Sequence, residues 1–151
     1  MYLFAYDQAK VAGGLLAIFL LKSNFTNGRA VTLIGYSLGS AVIMHCISFL
    51  KSLYRKGFAK ACKIIHDVHI WGGSYVLDPK GSIEEKTRAA YHCNIVNGRF
   101  NNMWSLKDTV LKYMIPQVQP GIATPMGLTE VLVDVHQDVS ESEGYKKAHN
   151  I

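Results

Sequence analysis

The chain is poor in several residue types, and each shortage removes a way of building or placing a protein. Its three cysteines, Cys46, Cys62 and Cys93, are odd in number, widely spaced and set in apolar stretches. That argues against a disulfide framework and for a reducing, intracellular compartment. No pair of them has the spacing of a zinc site. Of only four prolines, three fall between Pro116 and Thr129, so irregular backbone is expected there and regular elements elsewhere. Low-complexity tracts and internal repeats are lacking, and with 18% charged residues the composition is not that of a disordered chain. The apolar run Val11–Leu21 is only 11 residues long, behind Asp7 and Lys10. A membrane span needs about 20. Nor does a basic n-region or a small-residue cleavage site mark a signal peptide. The expectation is a buried amphipathic helix over Tyr2–Leu21, ending near Lys22.

What the chain has is apolar mass. At 151 residues and 49% hydrophobic content it can form one core, as a single domain or part of one. The formal charge is +5, and Lys51, Arg55, Lys56, Lys60 and Lys63 contribute to it near the end of an expected helix. A solvated helix end favoured by the dipole accounts for that cluster. An anionic membrane surface is a further partner it would suit. No nucleic-acid-binding motif accompanies it, so no nucleic-acid partner is expected.

The chemistry is concentrated at Thr32-Leu-Ile-Gly-Tyr-Ser-Leu-Gly39. The β-type run Ala30–Ile34 stops at Gly35-Tyr36-Ser37-Leu38-Gly39, and a helical pattern, Ser40–Tyr54, begins at once. A serine hydroxyl is a weak nucleophile until it is held exposed beside a base. The G-x-S-x-G turn between strand and helix does the holding, with Gly35 and Gly39 expected to remove side chains that would clash across it. The new helix aims its N-terminal N–H groups at the serine, which makes the Leu38 N–H an oxyanion donor.

The remaining pattern alternates strands and helices. Asn24–Arg29 reads as a turn and Gly57 as a helix stop. A second strand covers Val68–Trp71 before Gly72-Gly73, and Asp78–Gly81 is a turn. A helix starts at Ser82 with capping-box character. A third strand is expected at Cys93–Asn97, a polar loop at Gly98–Leu106, and a helix from Asp108 to Met114, closed by Ile115-Pro116. A fourth strand, Glu130–Val135, precedes a polar tail. The fold class is therefore α/β with a mostly parallel sheet. Four strands make a thin sheet, which suggests the C-terminal part of a three-layer sandwich, a single but partial domain, or a chain that pairs with another.

The run Gly28–Ile43 resembles the corresponding turn of the domain of unknown function 726 (DUF726) family, whose members look like α/β-hydrolases. Ala9–Ala17, Asp67–Gly73 and Ile95–Leu111 are similar to further family segments in the same order. The Gly72-Gly73-Ser74 run departs from the Gly-Ala-Pro more usual there, and the family's upstream strands, second oxyanion donor and membrane helices have no counterpart. A serine hydrolase of this fold takes its acid and histidine later in the chain. Asp108, one loop after the third strand, matches the family's acid and would also suit a helix N-cap. Asp78 is the alternative acid. His149 stands where the family places a Gly-His pair, though Ala148 precedes it here, and His136 is the alternative base.

His45 reads as a core or helix-surface residue. His66 and His69, three residues apart near a strand, are expected on opposite faces, a poor metal pair. No metal and no cofactor is expected. The resemblance implies a serine hydrolase with the triad Ser37, Asp108, His149, acting on an ester or lipid acyl bond and membrane-associated. Its partners would be that substrate, a membrane surface or membrane protein, and the missing N-terminal half or another chain. The competing reading is a non-catalytic subunit that kept the fold.

Overall fold

The computed structural model describes residues 2–22, 29–62, 64–75, 95–118 and 125–128, with side chains described through Tyr113 in the last helix. The turn Asn24–Gly28, the turn at Asp78, the helix from Ser82, Cys93, the fourth strand and both His136 and His149 lie outside the described residues. In chain order the elements are α1 (Tyr2–Lys22), β1 (Val31–Tyr36), α2 (Leu38–Arg55), β2 (Ile65–Trp71), β3 (Phe100–Met103) and α3 (Thr109–Val118). Two short 3-10 turns, Ala59–Ala61 and Met126–Leu128, complete it.

The fold is α/β: the three strands form a parallel sheet in the order β1-β2-β3. Gly35 and Tyr36 stand opposite Ile70 and Trp71, and Trp71 stands opposite Met103. The helix α2 follows from its sequence, with Ala41, Ile43, Met44, Ile47 and Leu50 recurring at helical spacing on its buried side. That side packs on β1, and Ile47, Leu50, Ile65, Val68, Ile70, Ile95 and Met126 are fully buried at the centre. Gly57 stops α2 as expected, at φ 92°, where a side chain would be strained.

A bulge in β2 corrects an expectation. Val31 pairs with Ile65 but Thr32 with Asp67, which leaves His66 as an extra residue. The bulge resets the alternation, so Ile65, Val68 and Ile70 are all buried. His66, the extra residue, breaks the alternation between itself and His69, so the two do not take opposite faces. The Asp67 carboxyl is held below its ordinary range first by the Arg99 N–H (2.7 Å) and then by His66 (3.0 Å). Among the described residues no group of three or more His, Cys, Asp or Glu could hold a metal ion.

Two further boundaries differ. The third strand is Phe100–Met103, inside the expected loop, and the described residues of the earlier stretch contribute the isolated bridge Ile65–Val96. Asn101 and Asn102 disguise it. Their side-chain amide nitrogens reach distant partners, His69 Nδ1 at 3.0 Å and the Met126 carbonyl at 2.9 Å. α3 runs on to Val118, so Pro116 sits in its last turn rather than ending it. There its missing N–H forfeits the one helical bond it would have donated four residues back.

α1 ends at Lys22, as expected, but it is not amphipathic in the ordinary sense. Its buried positions are the small residues Ala9, Gly13 and Ala17 together with Leu20, on a helix packed against α2, while Phe4, Val11, Leu15, Ile18 and Phe19 are exposed. With 21 residues the helix is also long and apolar enough to cross a membrane, judged by length and composition. Two neighbouring glycines in it have different reasons to be there. A Cβ at Gly13 would lie 2.6 Å from the Val42 carbonyl oxygen and 2.7 Å from His45 Cβ, whereas one at Gly14 would meet only Phe49, at 4.0 Å. Gly13→Ala should therefore destabilise by about 1–3 kcal/mol through overpacking. Gly14→Ala should stabilise by about 0.5–1 kcal/mol through helix propensity. Denaturant midpoints that move in the same direction for both would contradict this packing.

Candidate active site

Ser37 stands between the end of β1 and the start of α2 with φ 50° and ψ −116°, the one positive-φ non-glycine residue among the described residues. A side chain at such angles is strained, at a cost of order 1–3 kcal/mol, and persists only when its surroundings over-determine it. They do so here through one carbonyl. The Ser37 oxygen accepts the Ser40 hydroxyl at 2.6 Å, the Ser40 N–H at 3.0 Å and the Ser74 N–H at 3.3 Å. From the other side, the Ser37 N–H donates to the Trp71 carbonyl at 2.9 Å. Ser40, fully buried, also accepts the Tyr75 N–H at 3.2 Å, tying the loop after β2 to the turn. Sequence reading passed over Ser40; the signal available was a serine in the first turn of a helix that opens on a strained residue.

The glycines are unequal. A Cβ at Gly35 would lie 2.7 Å from Ile43 Cδ1 and 3.0 Å from the Gly39 carbonyl carbon and oxygen, so the turn closes onto that backbone. A Cβ at Gly39 would meet nothing within 4 Å, so the clash expected from a side chain there does not arise. Among the described residues the Leu38 N–H donates to no acceptor, as suits the first residue of a helix and leaves it open to an anion.

Asp108 lies on the same sheet edge. β2 ends beside Ser37, Gly72 follows it, and a Cβ on Gly72 would be 3.6 Å from Asp108 Oδ2. The other carboxylate oxygen accepts the Leu111 N–H at 3.0 Å, so Asp108 caps α3 with one oxygen and turns the second toward the loop after β2. The helix cap and an acid role are compatible. Gly73, where the family resemblance led to a different residue, has its own requirement: a Cβ there would lie 2.8 Å from Ile70 Cγ2 and 3.3 Å from both Met126 and Ser40 Cβ.

His45 is half-buried on α2, edge-on to Tyr6 at 5.9 Å and Tyr75 at 5.4 Å between ring centres. Burial, helped by Lys10, lowers its pKa, which suits a neutral ring packed between aromatics. Burial likewise raises the Tyr2 phenol above its ordinary value, an effect partly opposed by the Ser74 hydroxyl. The Cys46 thiol is pushed up to about 12 by burial, an inert core group.

Comparison with known proteins gives three relatives. An uncharacterized membrane protein of Schizosaccharomyces pombe is 33% identical over 125 residues, 83% of this chain and 14% of that protein. The Saccharomyces cerevisiae protein named probable lipase MIL1 is 32% identical over 125 residues, 83% of this chain and 10% of its own length. An uncharacterized membrane protein of Caenorhabditis elegans is 30% identical over 106 residues, 70% of this chain and 15% of its own. The chain thus spans a small part of each. No solved structure matches it. Residues 1–143, nearly the whole chain and the strained serine with it, match the family described as "Protein of unknown function (DUF726)", and the chain belongs to that family.

Proposed function

We propose that this chain carries the nucleophile-bearing part of an α/β-hydrolase-type serine hydrolase acting on an ester or lipid acyl bond. The observation that carries the reading is the backbone of Ser37: φ 50° at a strand-to-helix turn, held by three donors to one carbonyl. Strain of this kind concentrates at functional sites. A helix N-terminus with an open N–H beside the hydroxyl is what acyl transfer uses.

In this reading the Ser37 hydroxyl attacks the acyl carbonyl while His149 takes its proton, and the Leu38 N–H steadies the oxyanion. His149 then protonates the departing alcohol, and water releases the acyl group by the reverse proton path. Asp108 holds the histidine tautomer through the carboxylate oxygen that α3 leaves over. His149 takes its role from chain order, Ser then Asp then His. Lipid is favoured as substrate by the relative named probable lipase. Membrane association is favoured by the two relatives named membrane proteins and by the outward apolar side of α1.

Leu38 supplies one oxyanion donor. Loss of a single donor typically costs about 10²–10³ in rate; a covalent probe reads the nucleophile directly, whatever the turnover. A fluorophosphonate should label the folded protein, and the label should vanish in Ser37→Ala and slow sharply in His149→Gln. Failure to label a folded wild-type protein would reject the hydrolase and leave an interaction module that kept the turn.

A further inference from the structure

Two buried hydroxyls near the Ser37 turn, the Tyr2 phenol and Ser74 Oγ, complete no hydrogen bond among the described residues. Buried polar groups are nearly always paired, so an exception needs a reason. These two belong together. The Ser74 hydroxyl is close enough to the Tyr2 phenol to favour its charged form, yet the pair stops short of a completed bond. Aromatic rings join the same elements. Tyr2 is tilted against Tyr6 at 6.3 Å between centres, Tyr6 lies edge-on to His45 at 5.9 Å, and His45 edge-on to Tyr75 at 5.4 Å. The first two turns of α1 thus meet the side chains of the loop after β2: Tyr2 at Ser74, and Tyr6 at Tyr75 by way of His45.

That loop holds the strained residue. The Ser74 N–H donates to the Ser37 carbonyl at 3.3 Å. The Tyr75 N–H donates to Ser40 Oγ at 3.2 Å, and the Ser40 hydroxyl donates to the same carbonyl at 2.6 Å. Two successive N–H groups therefore fix Ser37, one directly and one through Ser40. Ordinary N–H···O bonds span about 2.7–3.2 Å, so these two sit at the long end, and a small shift of the loop breaks them. Met126 and Gly127 hold the loop by its backbone. α1 reaches its side chains, and Ser74, only 2% exposed, has no solvent to turn to instead.

We propose that Tyr2 is a positioning residue for Ser37: by pairing with the Ser74 hydroxyl, its phenol seats residues 74 and 75 so that their N–H groups hold the strained turn. The proposal deepens the hydrolase reading and, as a statement about the nucleophile, rests on it. It makes α1, whose other side is exposed and apolar, part of what sets the geometry of Ser37.

The test deletes the two oxygens in the full chain, Tyr2→Phe and Ser74→Ala, singly and together. Ring and backbone N–H remain in both, so the thermal midpoint should stay within about 2 °C of wild type. Each single variant should slow fluorophosphonate labelling about three- to tenfold, the worth of one ordinary hydrogen bond. Exchange of the Ser74 and Tyr75 N–H groups should quicken by a similar factor. The double variant should be no worse than either single one, because both break the same link. Ile47→Val, a core change on α2 away from the link, should lower the midpoint and leave labelling of the folded protein unchanged. Unchanged exchange in Tyr2→Phe would overturn the seating. Unchanged labelling in Tyr2→Phe, with wild type labelling normally, would overturn the positioning role and leave the hydrolase standing, and so would additive effects in the double variant. A folded wild type that never labels would overturn the hydrolase and with it any positioning of a nucleophile, even where exchange shows that Tyr2 seats the loop.

Discussion

Ser37→Gly should do two opposite things: end covalent labelling and raise the thermal midpoint. The first follows from losing the hydroxyl. In serine hydrolases removal of the nucleophile costs about 10⁶ in rate, well below detection. The second follows from φ 50°, ψ −116°. Glycine relieves strain of order 1–3 kcal/mol and gives back about 0.5–1 kcal/mol through its freer unfolded chain. A net gain of about 1 kcal/mol corresponds to roughly 2–4 °C for a domain of this size. Ser37→Ala is the control, because it deletes the same oxygen and keeps the strain. Both variants should fail to label, and only the glycine should melt higher. Equal midpoints would mean the turn is relaxed in solution, and persistent labelling would place the nucleophile elsewhere.

The turn was legible because the residues that form it are contiguous, although Trp71 and Ser74, which hold it, are not. Strand, glycine, serine and helix are contiguous, and the close approach of Gly35 to the Gly39 backbone joins residues four apart. Asp108 could be placed for a similar reason, since its cap on Leu111 is three residues long. β3 was not legible. Asn101 and Asn102 look like loop residues until their partners His69 and Met126 are known, 32 and 24 positions away. α1 failed differently: its outward side is as apolar as a buried one, so periodicity alone could not tell which side packs. Gly13 settles it, because a side chain there would meet the Val42 carbonyl, and Ala9 and Ala17 are buried along the same helix.

These failures share a cause that bears on the site. The segment Pro125–Leu128 contains no periodic pattern, and sequence reading left it as irregular backbone. In the structure it laces the sheet edge together. Met126 donates its N–H to Tyr75 and accepts from Asn102, while Gly127 donates to Gly73 at 2.7 Å and accepts from Ser105 at 2.9 Å. Tyr75, Gly73 and Ser105 belong to the same loops that carry Ser74 to the Ser37 carbonyl and Asp108 to α3. The strained serine and Asp108 therefore share one support, built from residues that only the tertiary fold brings together.

Gly127→Ala should accordingly be among the most damaging single substitutions in the described region. Its Cβ would lie 2.6 Å from the Gly73 nitrogen and 2.7 Å from the Gly72 carbonyl carbon, and would press on Leu111 Cδ1 as well. The leucine can rotate away; the two backbone atoms move only if the loop moves. That shift adds about 1–3 kcal/mol of overpacking to the loss of buried backbone hydrogen bonds, each worth about 1–3 kcal/mol when left unmade. The expected total is about 3–5 kcal/mol, in the range reserved for severe core lesions, read as a fall in the denaturant midpoint. Because the same loop faces Asp108 and reaches Ser37, labelling of the surviving folded fraction should slow as well. Met126→Leu, which conserves volume beside it, should cost less than about 1.5 kcal/mol and leave labelling unchanged. A Gly127→Ala protein as stable as wild type would show that the segment is not seated against the loop after β2, and the shared support would fall with it.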